Sequence, residues 1–128
     1  MTKTEYERLA HFRYQLRRFL RFSEELTRGN GITALQYQLM LQVKGFPGRH
    51  WATVGELAER LQAQQHGVVS LISRCEAGGL VKRRASRADK RRVEIRLTPK
   101  GEKLLARLAR LHRLELRSLR DVAELNPR

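Results

Sequence analysis

Residues 80–100, LVKRRASRADKRRVEIRLTPK, carry nine basic side chains and two carboxylates, a net +7 that is half of the chain's +14. Guanidinium groups at this density attract oxyanions and pair with them through forked hydrogen bonds. Arg87, Lys90, Arg91 and Arg92 are the candidates for the narrow minor groove of duplex DNA, where negative potential is enhanced, and Arg84 stands at the base of the run. Asp89 lies among them, and a carboxylate there is expected to orient a neighbouring guanidinium by a bidentate pair. Just upstream, a helical projection of residues 65–77 places His66, Ser70, Ser73 and Ala77 on one face, with Gly67 and Arg74 beside them. Val68, Ile72 and Cys75 fall on the opposite side. The outer face is small, polar and free of carboxylates, which suits close approach to phosphates and base edges. Gln64 and Gln65 open the same helix. A charge run taken alone reads as a solvated surface, but its position directly after two short helices favours nucleic acid.

Little else in the chain offers chemistry. No Ser/His/Asp, Cys/His or paired-carboxylate arrangement with recognisable spacing is present, and Ser70 and Ser73 have no sequence-readable base, so no enzyme is expected. His11, His50, His66, His112 and the single Cys75 have no metal-ligand spacing, and neither a metal, a cofactor nor a disulfide is expected. Cys75 falls on an apolar face, where a free thiol behaves as a small hydrophobe rather than a redox switch. No apolar run reaches the ~18 residues of a membrane span, and MTKTEYERLA has no apolar signal core, so a soluble, cytoplasmic protein with no membrane partner is expected. With 128 residues, 41% hydrophobic and 31% charged, the expectation is one globular domain with one core.

The elements that must position these residues follow from periodicity. Leu9, Phe12, Leu16, Phe19 and Leu26 form one stripe on a helix over about 5–28, ended by Gly29-Asn30-Gly31. Thr33 and Gln36 form a capping box for a second helix that turns Leu35, Leu39 and Val43 inward and stops at Gly45 and Pro47. Thr53 and Glu56 cap a short helix with Leu57, Ala58 and Leu61 on one face. After a turn at Ala63-Gln64, the next helix buries Val68, Leu71, Ile72 and Cys75 and ends at Gly78-Gly79. Residues 53–79 are thus a helix-turn-helix and 80–97 a two-stranded wing. Val93, Ile95 and Leu97 face inward there, Arg92, Glu94 and Arg96 face outward, and the tip lies near 85–91. Thr98-Pro99 starts a long helix to about 124 carrying Leu104, Leu105, Leu108, Leu111, Leu116, Leu119 and Val122. The fold class is mainly α with a small β-hairpin, a winged helix-turn-helix with long N- and C-terminal helices. Their apolar stripes exceed what one small core covers, so a homodimer is expected.

Several segments together resemble the multiple-antibiotic-resistance regulator (MarR) family over nearly the whole chain. Asp89-Lys90-Arg91 fits the family's Asp-x-Arg wing element, and Leu97-Thr98-Pro99-Lys100-Gly101 fits its Leu-Thr-x-x-Gly. Arg74 with Gly79-Leu80-Val81 resembles the end of the recognition helix, and Val54 to Leu61 the helix before it. The resemblance implies a transcriptional regulator, usually a repressor, that binds a pseudo-palindromic double-stranded operator as an obligate homodimer built from helices 5–28 and 98–124. It assigns Arg91 to the minor groove and Asp89 to orienting it. It also suggests a small-molecule effector, in a pocket between dimerisation helices and winged helix that His11, Tyr14 and Trp51 would line. The sequence departs from the family where Gln64-Gln65-His66-Gly67 replaces the Ser, Thr or Arg of many relatives, and in the short segment after Leu119, where the family commonly adds a further dimerisation helix. The readings set against this one are an architectural, sequence-tolerant DNA binder and a helical protein whose basic wing meets an acidic protein.

Overall fold

The computed structural model describes residues 1–125, with side chains through Leu114 together with that of Arg117. Three threonines begin three helices in the same way, each accepting from the backbone N–H three residues on while that residue's side chain returns to the threonine N–H. Thr2 with Glu5 opens α1 (Lys3–Gly29), Thr33 with Gln36 opens α2 (Ala34–Lys44), and Thr53 with Glu56 opens α3 (Val54–Leu61). Gln62 takes the left-handed conformation, φ 52°, which turns the chain from α3 into α4 (Gln65–Ala77). Strands β2 (Val81–Ala85) and β3 (Val93–Leu97) follow, then α5 (Pro99–Leu125). The sequence reading missed a third strand, β1 (Trp51–Ala52), which pairs with β3 and gives an antiparallel sheet in the order β1-β3-β2. Two residues carry no periodicity, and β1 exists only because β3 offers it an edge.

Leu39, Met40, Val43, Leu57, Val68, Ile72, Cys75, Val81, Ile95 and Leu108 are fully buried in one core beneath the sheet and α2–α5. The four residues expected to face inward from α4 all do. Two inward assignments elsewhere are corrected. Leu35 is 54% exposed, and Tyr37, Leu39, Met40 and Val43 supply the buried face of α2. Val93 is exposed at the tip-side end of β3, opposite Ala85, where the sheet outruns the core. On α5, Leu111 is exposed, in keeping with a stripe that exceeds one core, and its neighbour His112 is buried. Leu116, Leu119 and Val122 lie outside the described side chains.

His112 joins the long helices to α2. Its Nδ1 donates to the Leu108 carbonyl and its Nε2 meets the Ser23 hydroxyl, both at 2.8 Å, while its ring stacks on Tyr37 at 4.3 Å between centroids. Burial raises the Tyr37 phenol's pKa. At the other end of α5, Thr98 donates to the Gly79 carbonyl and accepts from the Gly101 N–H. Gly101 must lack a side chain, since a Cβ there would sit 2.1 Å from the Leu80 carbonyl oxygen. The Leu-Thr-x-x-Gly stretch therefore locks the start of α5 onto the root of the wing.

Candidate nucleic-acid interface

All the α4 residues expected to face outward, Gln65, His66, Gly67, Ser70, Ser73, Arg74 and Ala77, are exposed, as is Gln64 at the N-cap. Gly67 has open space where a Cβ would stand, so packing does not require glycine at this position. One carboxylate lies near this surface. Glu76 is paired with Arg83 of β2, which also donates to Ser73 Oγ at 3.2 Å. This contact neutralises the acid and ties the wing to α4. Arg83 was not foreseen, because only the register of β2 against α4 brings it there.

The wing tip is a built turn. The Ser86 hydroxyl, buried in an otherwise exposed loop, accepts from the backbone N–H groups of Ala88 and Asp89 at 3.2 Å each. Ser86 N–H in turn donates to the Arg92 carbonyl, and Arg92 N–H to the Asp89 carbonyl, both at 2.9 Å. Asp89 Oδ1 accepts the Arg91 backbone N–H at 3.0 Å and lies 3.4 Å from Arg91 Nε. The expected pairing of Asp89 with a neighbouring guanidinium is present but not bidentate: one oxygen serves both groups, as in a turn that an aspartate side chain closes on its own backbone. The Arg91 side chain is 94% exposed and projects from this brace. Arg84, Arg87, Lys90 and Arg92 are exposed around it. Sequence reasoning missed Ser86, although a serine three residues before an aspartate in a loop is a turn signal.

Behind the tip, Trp51 on β1 is held by Arg49, whose guanidinium lies 3.9 Å from the indole centroid and 4.2 Å from that of Phe46. Arg49 also pairs with Glu56, the capping residue of α3. Burial pushes the Glu56 carboxyl up, but hydrogen bonds from Thr53 and Arg49 outweigh it and leave the pKa lowered. Trp51 therefore belongs to the wing root, while His11 and Tyr14 sit 6.4 Å apart on exposed α1. No described ring contact joins Trp51 to them within one protomer. Cys75 is fully buried and its thiol is pushed up to about 11 by burial, against a smaller lowering from Arg74. It is a protonated, unreactive thiol at neutral pH. Among the described residues no group of three His, Cys, Asp or Glu side chains could hold a metal, and no helix is long and apolar enough to cross a membrane.

A helix-turn-helix with an exposed polar second helix, tied to a basic wing on a three-stranded sheet, defines the winged helix-turn-helix class. Residues 30–92 match the MarR family. A MarR family transcriptional regulator, AbsC from Streptomyces coelicolor, superposes with a TM-score of 0.79 at 21% identity, covering 99% of this chain and 90% of that one. A mutant MarR from E. coli complexed with operator DNA superposes with a TM-score of 0.68 at 23% identity, covering 92% and 79%. By sequence, a putative transcriptional regulatory protein for the hcr operon of Thauera aromatica is 28% identical over 96 residues. That match takes in 75% of this chain and spans 56% of the relative's length.

Proposed function

We propose that the protein is a homodimeric, sequence-specific DNA-binding transcriptional regulator, in the repressing mode, acting in the cytoplasm on a pseudo-palindromic operator. The observation that carries this reading is the pairing of a carboxylate-neutralised polar face on α4 with a wing tip that Ser86 and Asp89 brace so that Arg91 projects. A generic basic patch needs no such brace. Residues 53–79 enter the major groove and residues 80–97 reach the adjacent minor groove. Helices 3–29 and 99–125 form the dimer, so the whole chain works as one domain. The operator-bound MarR structure of the same fold supports the docking mode. A small-molecule effector would act by changing the spacing of the two recognition helices. His11 and Tyr14 on α1 belong to such a pocket only if the second protomer completes it.

Selection of bound sequences from a random duplex pool tests the reading. A pseudo-palindrome with half-sites about one helical turn apart is expected from a two-fold dimer. Two recognition helices and two wings neutralising about eight phosphates give a log–log salt slope of roughly −7. Enrichment of no sequence, with a low ratio of specific to non-specific affinity at physiological salt, would establish the architectural binder instead.

A further inference from the structure

The outer face of the wing sheet holds a cavity of about 490 Å³ that is separate from the projecting Arg91. The strand register builds it. Trp51 pairs with Arg96 and Arg84 with Glu94, so these four residues share one face of β1, β3 and β2, and Arg87 and Arg92 from the tip complete the rim. Glu94 is the one carboxylate in the lining, and it is already satisfied: it is buried and takes the Arg96 guanidinium at 2.7 Å. Arg84, Arg87 and Arg92 make no salt bridge among the described residues. Three like charges around one concavity repel each other unless an anion joins them, and guanidinium forks match the oxygens of a phosphate. The aromatic wall is fixed independently, because Arg49 clamps Trp51 and is anchored on Glu56.

We propose that this wing-root cavity is a phosphate site, with Arg84, Arg87 and Arg92 as the ligands and Trp51 as the wall. The phosphate comes either from a DNA backbone beside the wing or from a free phosphorylated small molecule, and the first source rests on the function proposed above. An anion from solution would neutralise the same arginines that the duplex needs, so a free ligand would weaken operator binding without touching Arg91.

Trp51 is the only tryptophan in the chain, so intrinsic fluorescence reports the cavity directly. Wild-type protein is titrated with inorganic pyrophosphate at constant ionic strength, and separately with a labelled duplex whose anisotropy reads DNA binding independently. The Arg84→Gln/Arg92→Gln double variant is titrated in parallel, with Lys44→Gln, an exposed change on α2 outside the cavity, as a control. At least one of the two probes should change the Trp51 signal saturably, with the midpoint weakened roughly tenfold or more in the double variant, since hydrogen bonds to charged groups are being removed, and unchanged in the control. A pyrophosphate response identifies a free ligand, whereas a response to duplex alone identifies a backbone phosphate. A Trp51 signal flat towards both probes, or equal midpoints in wild type and double variant, overturns the proposal. If the anisotropy shows no duplex binding at all, the regulator reading fails by itself and the pyrophosphate titration still decides the cavity.

Discussion

Arg91 and Asp89 are neighbours whose charges cancel, so simple charge counting and orientation predict opposite effects at the wing tip. Asp89 holds the Arg91 backbone N–H at 3.0 Å and approaches its Nε, so its removal frees the guanidinium to wander. Arg91→Ala is expected to weaken operator binding by about 1–3 kcal/mol. Asp89→Ala should weaken operator binding while leaving scrambled duplex bound equally or more tightly, and the double variant should cost less than the two single changes added. Ser86→Ala, two bonds removed from the same turn, should resemble Asp89→Ala although it changes no charge. Binding isotherms on operator and scrambled duplex at one salt concentration decide the matter, and tighter operator binding by Asp89→Ala with additive effects would sink the orienting role. At Cys75, fully buried with a thiol pKa near 11, Cys75→Ser should lower the unfolding midpoint and leave operator affinity close to wild type. Mild peroxide should not release DNA.

Two elements carry testable consequences of their own. Gly67 occupies the third position of α4 with nothing near its missing side chain, and glycine inside a helix is less favourable than alanine by up to ~1 kcal/mol. Gly67→Ala should therefore raise thermal stability. If the backbone at this turn approaches DNA, the same change should weaken operator binding, and a variant gaining both stability and affinity would exclude close approach there. At the start of α3, Glu56 caps the helix and pairs with Arg49, with a folded pKa below its unfolded value. The sign follows: a lowered carboxyl pKa adds stability that is present above the unfolded value near 4.5 and is lost as pH falls through the folded one. Glu56→Gln can keep the capping geometry, as Gln36 does at α2, but loses the ion pair with Arg49. It should therefore melt below wild type at pH 7 by up to about 1 kcal/mol, and the gap should narrow as the pH falls below 4.5. A gap that persists in acid would show that packing, not ionisation, distinguishes the two.

At the scale of the molecule, the question is what covers the ends of the long helices. Tyr6, Leu9, Phe12 and Tyr14 on α1 are 44–59% exposed, and Leu111 and Leu114 on α5 are exposed as well. The C-terminal end of α1 and the N-terminal part of α5 turn inward, since Leu26 and Leu104 pack on the core and Leu105 and Leu108 join it. A second copy is the economical cover, because one two-fold contact buries both stripes at once. Sedimentation should show a dimer at micromolar concentration, and Leu9→Glu/Phe12→Glu should shift it towards monomer while preserving the core beneath the sheet. With both wings of the proposed dimer on one operator, the same variant should lose most specific binding and retain a shallower salt dependence. A folded wild-type monomer at that concentration would refute the arrangement.

Local chemistry read in one dimension determined most of the framework. Thr33-Gln36 and Thr53-Glu56 are contained within four residues, and the helix starts they mark are where the capping boxes stand. The spacing of Val68, Leu71, Ile72 and Cys75 decided which face of α4 is buried, and so which face is left exposed. Asp89 beside Arg91 was legible for the same reason, as a contact between residues two apart. What the sequence could not determine depends on partners distant along the chain. Strand β1 exists through its pairing with β3, more than forty residues away by the register of Trp51 with Arg96. Arg83 finds Glu76 and Ser73 only after the wing folds back on α4, and His112 finds Ser23 and Tyr37 only when α1, α2 and α5 meet. Leu35 and Leu111 satisfy the helical period yet stay exposed, because periodicity specifies a face and only the packed neighbours decide whether anything covers it.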